Sequence, residues 1–251
     1  MVQLPPANRN ALRPLFADYP YLQGLVYGAL RGAFGEAFAD QTKAATVGML
    51  SADDFVFFAG DPSCATAAVM ISSQPAGSWL IGRDAAWQAR FVEIWGDQLK
   101  QKERFAFQAP TVWNRARLTG LMRNVPAGCT LMQIPEAAAA RFARLSASLV
   151  DFDAQGEPSM ARSVGFGVEQ EGQFIAGCAG APADGLLDFE IQTALAYRRR
   201  GLATAVAAAM ILYCLDHDLQ PCWDAANEMS ARLAEKVGFV GRTPYMAYQI
   251  M

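Results

Sequence analysis

The sequence contains one histidine, His217, and five cysteines scattered among 251 residues. A single histidine excludes a multi-histidine metal site and leaves one candidate base for a serine–histidine–aspartate triad. The cysteines are odd in number and never spaced as CxxC, which disfavours a disulfide framework and a zinc ribbon. His217 lies where a predicted helix ends, a position that favours cationic groups, so we interpret it as an exposed helix-end residue. We therefore predict no metal site.

Long apolar runs and an excess of positive charge are also missing. The longest mainly apolar stretch, 202–215, is shorter than the roughly 18–20 residues that a bilayer-spanning helix needs. The N-terminus has no signal-peptide pattern. The net charge of −3 disfavours a general nucleic-acid binder, which needs a basic surface. We expect a cytoplasmic monomer or homodimer with neither a membrane nor a nucleic acid as its partner.

The composition is that of a folded protein with a substantial core, because 53% of the residues are apolar and 18% are charged. At roughly 100–200 residues per domain, the length predicts one large domain or two small ones. We place a boundary near 130, which gives domains at 1–130 and 131–251. No internal repeat stands out. The fold class that we predict is α+β, with helices and strands mixed in both parts.

The first half has few clear patterns. Trp87, Phe91, Ile94 and Trp95 fall at helical spacing, and this apolar stripe is typical of a core helix. The predicted elements of this half are a helix at 8–16, either a helix at 21–38 or a strand at 25–29, strands at 55–59 and 78–81, and a helix at 85–102.

The second half is more regular. Its glycine-bearing turns predict an antiparallel meander of three strands. Gly238 lies where a left-handed helix cap belongs, and Phe239 follows as its apolar partner. The predicted elements are a helix at 136–149, strands at 164–169, 173–178 and 186–195, a helix at 202–215, a strand at 220–224, a helix at 227–237 and a strand at 244–250.

The loop between the third meander strand and its helix has a pattern that suits an anion. Gly201 lets backbone approach a ligand without a Cβ in the way, and Ala203 keeps the first helical turn narrow. The helix N-terminus presents N–H groups and partial positive charge, and arginines add mobile charge beside it. The alternative is a glycine that relieves a tight turn, with arginines on a solvated surface.

Arg198, Gly201 and Ala203 occupy the three defining positions of [QR]-x-x-G-x-[GA], and in this respect the chain resembles the GNAT acetyltransferase superfamily. The resemblance covers roughly 135–251. It includes the segment 234–239, which is similar to the superfamily's Y-x-x-x-G-F ending, with Ala234 in place of tyrosine. More specifically, 197–239 resembles the zwittermicin A resistance-type members, which carry an extra N-terminal region. The fold that this implies is a C-terminal mixed, mostly antiparallel sheet flanked by helices, preceded by an N-terminal α+β domain.

The resemblance also implies acetyl-CoA as cosubstrate. Asn227 would reach the pantetheine arm, although the alternative is that it simply caps a helix. Main-chain groups of a splayed strand would pair with the pantetheine arm, and those of the arginine loop would hold the pyrophosphate. The residues implied for the strand are Ile191, Gln192 and Thr193, and those for the loop are Arg198, Arg199, Arg200, Gly201, Leu202, Ala203 and Thr204.

The implied reaction is direct attack by the amine of a small molecule, such as a metabolite or an antibiotic, on the acetyl thioester. Such an amine is mostly protonated at neutral pH, so a base is needed. Glu190 is the first candidate and Asp188 and Asp224 come next, each with the alternative of an ordinary polar residue at a strand edge. We expect the domain at 1–130 to contribute to acceptor binding.

The proton donor to the leaving thiolate is open. Ala234 stands where many of these enzymes have the donating tyrosine. Tyr245 or Tyr248 on the last strand could replace it, or the thiolate could leave without assistance. The missing tyrosine also supports an alternative function, that of a non-catalytic acyl-CoA-binding or regulatory module.

Overall fold

The computed structural model describes all 251 residues and divides into two compact units. The first comprises Met1–Ala106 and Thr243–Met251, and the second comprises Phe107–Arg242. These limits differ from the boundary that we placed near 130. The helix at Arg115–Arg123 packs against the helix at Leu202–Asp216, which attaches the segment after 106 to the second unit.

The first unit has three helices and a mainly antiparallel sheet. The chain enters it through a short strand and a 3₁₀ helix at Pro6–Leu12. Its helices are α1 (Gln23–Arg31), α2 (Ala65–Ser72) and α3 (Ala85–Trp95), and its strands are β1 (Val2–Gln3), β2 (Glu36–Ala39), β3 (Val47–Ala52), β4 (Phe55–Gly60), β5 (Trp79–Gly82) and β6 (Leu99–Gln108).

Strand β4 explains the architecture of the first unit. It pairs antiparallel with β3 and parallel with β5, where Phe55 lies opposite Trp79. Phe57 packs in a cluster with residues of α1, whereas Phe58 packs with residues of α2 and α3. Both faces of the strand are therefore covered by helices, which is why its sequence is a continuous apolar run and not an alternating one.

The second unit also combines helices with an antiparallel sheet. In its sheet, the first strand of the unit pairs with the three-stranded meander. Short 3₁₀ turns lie before and after the shortest of its helices. The helices are α4 (Arg115–Arg123), α5 (Ala139–Ala143), α6 (Leu202–Asp216) and α7 (Glu228–Val237). The strands are β7 (Thr130–Gln133), β8 (Asp151–Phe152), β9 (Pro158–Ser159), β10 (Val164–Gln170), β11 (Gln173–Gly180), β12 (Leu186–Leu187), β13 (Glu190–Thr193), β14 (Gln220–Pro221) and β15 (Asp224–Ala225). The last strand, β16 (Val240–Ile250), belongs to the first unit from Thr243 onward, where it pairs antiparallel with β5.

The main sheet of this unit has the order β7-β10-β11-β13, and every neighbouring pair is antiparallel. Helix α6 packs on it, with Val206, Met210 and Cys214 buried against Val168 and Cys178. Because α4 covers another side of α6, almost the whole helix is apolar. The predicted meander and the helix after it are thus confirmed.

Three predicted elements are shorter than expected. The helix predicted at 85–102 ends at Trp95, because Gly96 has a φ of 52° and the chain then enters β6. The segment 136–149 contains α5 between 3₁₀ turns, not one helix. The strand predicted at 186–195 is divided into β12 and β13.

The N-terminal predictions also changed. Helix α1 confirms the helical alternative for 23–31, and the strand at 25–29 is wrong. The residues after it leave the helix at Gly32, whose φ is 75°, and form β2. Strands β1, β3 and β6 and helices α2 and α4 were not predicted at all.

The two units repeat one order of elements. Each has a first strand, a helix, three further strands joined antiparallel, a helix, a strand parallel to the fourth and another helix. A strand follows each set: β6 follows the first, and β16, most of which belongs to the first unit, follows the second. In this order β4, α2, β5 and α3 of the first unit correspond to β12 with β13, α6, β14 and α7 of the second. The sequence showed no repeat, because the repetition lies in topology and not in residue identity.

Candidate functional site

Two neighbouring segments of the second unit separate after a short parallel pairing. Leu187 lies opposite Pro221, and the Cys222 N–H donates to the Leu187 carbonyl at 2.8 Å. Beyond this point β13 continues on β11 alone, while Trp223 accepts a hydrogen bond from the Phe107 N–H. The separation leaves one edge of β13 without a strand neighbour.

The open edge of β13 presents main-chain groups of alternate residues. The Ala194 N–H donates to the Ile175 carbonyl at 2.9 Å, and hydrogen-bonded pairs recur at every second residue of an antiparallel ladder. Gln192 is therefore bonded to Gly177 on β11, whereas the N–H and C=O groups of Ile191 and Thr193 point to the open edge. Of the three residues predicted to pair with pantetheine, two have main-chain groups on the open edge, where the Thr193 carbonyl accepts from Arg198 Nε.

Aromatic rings lie at the fork where the segments part. Phe189 and Trp223 pack edge to face with centroids 5.3 Å apart, directly after the last paired residues. Trp223 also contacts Phe239, and its indole N–H donates to Ser230 Oγ at 3.2 Å. These rings fill the fork and hold the segments apart. Sequence analysis missed them, because isolated aromatics in short strands carry no distinguishing pattern.

The arginine loop leads into an uncapped helix. Gly201, with a φ of 83°, is the N-cap of α6, and no side chain caps this end. The first helical hydrogen bond runs from the Ala205 N–H to the Gly201 carbonyl at 3.1 Å. The N–H groups of Leu202, Ala203 and Thr204 precede it and have no partner within the helix. Free N–H groups at a helix N-terminus suit an anion, and this is the arrangement that the sequence predicts.

The three arginines of the loop are exposed, and none pairs with a carboxylate. Arg198 Nε donates to the Thr193 carbonyl at 3.3 Å, and the Arg200 guanidinium lies over the Tyr197 ring at 5.1 Å. Arg199 has a φ of 62°, in the left-handed region. The loop therefore carries uncompensated positive charge beside the free N–H groups of α6.

Asn227 is the N-cap of α7. Its Oδ1 accepts a hydrogen bond from the Ser230 N–H at 3.0 Å, so the capping alternative is confirmed. The side chain is exposed, and its amide NH₂ group remains as a donor. Capping therefore does not exclude a second contact through Nδ2.

Glu190 is exposed and lies on the same face of β13 as Gln192. Its Oε1 accepts hydrogen bonds from Ser148 Oγ at 2.8 Å and from Gln192 Nε2 at 2.7 Å. Ile191 and Thr193 face the other way, where Ile191 packs with the core residues of α6. Asp188 and Asp224 are both half-buried and both make further polar contacts.

The residues considered as proton donors are packed side chains of the first unit. Tyr245 is buried, its ring stacks on Tyr21 at 4.0 Å, and its hydroxyl accepts from Arg104 Nε at 3.1 Å. Tyr248 is buried against Phe91, and this burial raises the pKa of its hydroxyl. In the second unit Ala234 is fully buried on the packed face of α7, so this position faces the core.

The buried cysteines are poor nucleophiles. Cys178 Sγ donates to the Val206 carbonyl at 3.3 Å, and burial raises the pKa of this thiol far above its usual range. Burial also raises the pKa of Cys214 to about 12. Since the thiolate is the reactive form, neither side chain suits covalent catalysis.

No group of three or more histidine, cysteine, aspartate or glutamate side chains is arranged to hold a metal ion. No helix is both long and apolar enough to cross a membrane.

Comparison with known proteins identifies the fold and the family. A GCN5-related N-acetyltransferase-like protein from Streptococcus suis 89/1591 has a TM-score of 0.84 at 26% identity, covering 98% of this chain and 99% of that one. A GCN5-related N-acetyltransferase from Kribbella flavida has the same fold, with a TM-score of 0.57 at 16% identity and coverage of 99% and 96%. The predicted fold class, a mixed and mostly antiparallel sheet flanked by helices, is confirmed.

A curated relative gives a shorter match. The uncharacterized N-acetyltransferase YdfB of Bacillus subtilis (strain 168) is 38% identical over 63 residues, which are 24% of this chain and 24% of that protein. The aligned stretch thus spans about a quarter of that relative's length. The family model for GNAT acetyltransferase matches residues 13–248, nearly the whole chain. The chain therefore belongs to the GNAT acetyltransferase family.

Proposed function

We propose that this protein transfers the acetyl group of acetyl-CoA to the amine of a small molecule. The observation that carries the proposal is the open edge of β13 followed by an uncapped, arginine-bearing helix N-terminus. An extended amide-containing chain fits the open edge, and a diphosphate fits the free N–H groups. Both features belong to the second unit, and the seven residues 194–200 separate the end of β13 from the N-cap Gly201.

The residues divide into two cofactor-binding groups. Ile191 supplies its main-chain N–H and C=O, and Thr193 its main-chain N–H, to the pantetheine amides. Asn227 Nδ2 donates to the same arm. The main chain of Gln192 is already bonded to β11, so its part is to hold Ile191 and Thr193 in position along the open edge. The N–H groups from Arg199 to Thr204 hold the pyrophosphate, and Arg198 and Arg200 add charge.

The chemistry is a direct transfer in which the amine nitrogen attacks the thioester carbonyl carbon. Glu190 accepts the proton that the ammonium form must lose, directly or through water. An outward main-chain N–H of β13 stabilises the negative charge that develops on the carbonyl oxygen. The carbon–sulfur bond then breaks, and the thiolate leaves with the electron pair and takes up a proton. The attacking nitrogen loses its second proton to solvent, and the neutral amide product remains.

The thiolate can receive its proton in two ways. Tyr245 on β16, whose hydroxyl accepts from Arg104 Nε at 3.1 Å, is the first candidate. Unassisted departure of the thiolate is also compatible with an ordinary thiol pKa of about 8.5. We assign acceptor recognition to residues within 1–130. We further propose a cytoplasmic monomer or homodimer that needs no metal, membrane or nucleic acid.

The test is a thiol-release assay with acetyl-CoA and a broad panel of small amines. We expect release above the no-amine background with at least one amine, and its loss in Gly201→Glu. That substitution places a side chain at a φ of 83° and a negative charge in the anion loop. Absence of release across the panel would contradict catalysis.

A second candidate function is a non-catalytic acyl-CoA-binding module. It is favoured by Ala234, which is buried where many family members have their acid. This alternative predicts that acetyl-CoA raises the melting temperature of the protein while no amine is acetylated. Thermal-shift and thiol-release measurements on the same preparation separate the two functions.

A further inference from the structure

The first unit repeats the element order of the second, including the two strands and the helix that form the proposed acetyl-CoA site. Strand β4, helix α2 and strand β5 occupy the places of β12 with β13, α6 and β14. The corresponding position in the first unit can therefore be compared feature by feature with the proposed site.

The strand pair of the first unit does not separate. β4 and β5 are paired at four successive positions, from Phe55 opposite Trp79 to Phe58 opposite Gly82. In the second unit the equivalent pairing covers Leu186 and Leu187 only. No open edge is thus available to an extended ligand along β4, because β3 occupies its other side.

Tyr19 closes the end of this strand pair. Its hydroxyl lies 2.8 Å from the Ile81 carbonyl and 3.3 Å from the Phe58 carbonyl, so it bridges β5 and β4. The side chain is fully buried, and its ring packs edge to face on Phe57 at 5.9 Å. Where the second unit has a fork held apart by aromatic rings, the first has a hydrogen-bonded closure.

The helix α2 of the first unit has a side-chain cap, and the loop before it makes a side-chain hydrogen bond of its own. Asp61 Oδ1 accepts from the Ser63 N–H at 2.8 Å, and Cys64 Sγ accepts from the Ala67 N–H at 3.4 Å. The connection 61–64 contains no arginine, lysine or glycine and carries a carboxylate. Such a loop repels a diphosphate instead of binding it.

We propose that the first unit is a second copy of the acetyltransferase fold whose acetyl-CoA slot is closed, so that each chain binds one acetyl-CoA. The inference rests on the proposed function for its ligand and adds the stoichiometry. The closed strand pair, the Tyr19 bridge and the self-capped helix each exclude one part of the cofactor. The first unit therefore has a role other than the binding of acetyl-CoA.

Native mass spectrometry of the full chain with acetyl-CoA, supported by calorimetric titration, counts the bound molecules. We expect one per chain in the wild type and none in Gly201→Glu. The matched variant Ser63→Glu adds the same charge to the loop of the first unit and should keep one molecule with unchanged Kd. Two molecules per chain, or one retained in Gly201→Glu, would overturn the inference. No binding to the wild type would instead contradict the proposed function.

Hydrogen exchange on the wild type gives a second readout that needs no variant. Saturating acetyl-CoA should slow exchange of amides in 190–204 and leave those in 61–67 unchanged. Protection at 61–67 would show that the first slot opens to the cofactor, and the inference would fail.

Discussion

Nε of Arg198 donates a hydrogen bond to the main-chain carbonyl of Thr193 at 3.3 Å. This contact ties the anion loop to the strand whose outer edge is open. Arg198 is the loop arginine closest in sequence to β13, and the contact holds its side chain in place. Arg199 and Arg200 extend from the rest of the loop. Arg198 therefore orients the loop as well as adding charge, which explains why a planar donor suits this position.

Replacing Arg198 should weaken cofactor binding. We expect Arg198→Ala to raise the KM for acetyl-CoA about tenfold, corresponding to about 1.4 kcal/mol, because one charged hydrogen-bond donor is lost. Arg198→Lys should give a smaller rise, since it keeps the charge. Steady-state kinetics with varied acetyl-CoA measure both. Arg162→Ala, an exposed arginine paired with Asp151, is the control. An unchanged KM in Arg198→Ala would contradict the role.

The alternation of main-chain groups along β13 can be tested by proline substitution. Ile191→Pro removes an N–H that points to the open edge and breaks no bond to β11, so the variant should fold. It should lose at least tenfold in acetyl-CoA affinity, measured by titration. Gln192→Pro removes a bond to β11 and should lower the melting temperature markedly.

Ile191→Ala controls for the loss of side-chain packing, since Ile191 packs against the core of α6. It should lower stability by about 2 kcal/mol or less and leave affinity near the wild-type value. If Ile191→Pro folded and bound acetyl-CoA normally, the open edge of β13 would not be the pantetheine site.

Asn227 has a capping role and a proposed binding role that two substitutions separate. Asn227→Asp keeps the acceptor that caps α7 and removes the Nδ2 donor, so the melting temperature should hold while affinity for acetyl-CoA falls. Asn227→Ala should also lose about 1 kcal/mol of stability with the cap. Melting curves and binding titrations on both variants decide the point. Equal affinity in Asn227→Asp and the wild type would leave capping as the sole role.

Glu190 is proposed as the base. Glu190→Gln should lower kcat about 100-fold and change the KM for acetyl-CoA little, since general-base catalysis contributes roughly 10²–10⁴-fold. Its pH–rate profile should also lose the limb that reports the base. Tyr245→Phe is compared in the same assay for the proton donor. A Glu190→Gln enzyme with wild-type kcat would transfer the role to Asp188 or Asp224.

Much of the site was predictable because its parts are consecutive in sequence. Arg198, Gly201 and Ala203 stand in one loop between elements with clear periodicity, and the structure places Gly201 at a left-handed φ that favours glycine. Asn227 and Gly238 were also recognisable, since helix caps depend on local residue chemistry. Local signals of this kind survive without knowledge of the tertiary fold.

Features that depend on long-range pairing were not predictable. The separation of the strands after Leu187 leaves no local pattern, because it depends on how briefly this segment pairs with Pro221 and Cys222. Only the resemblance to the superfamily implied a splayed strand. The first half of the sequence showed few clear secondary-structure patterns for the same reason. Phe57 and Phe58 face different helices, so β4 shows no alternation, and the repeated topology left no repeated residues.

The most direct test is a crystal structure of the protein with acetyl-CoA. The account predicts pantetheine amides within hydrogen-bonding distance of the main chain of Ile191 and Thr193, and the pyrophosphate at the N–H groups of 199–204. The acetyl carbonyl should lie at the fork near Glu190. A cofactor bound away from β13 and the N-terminus of α6 would contradict the central claim.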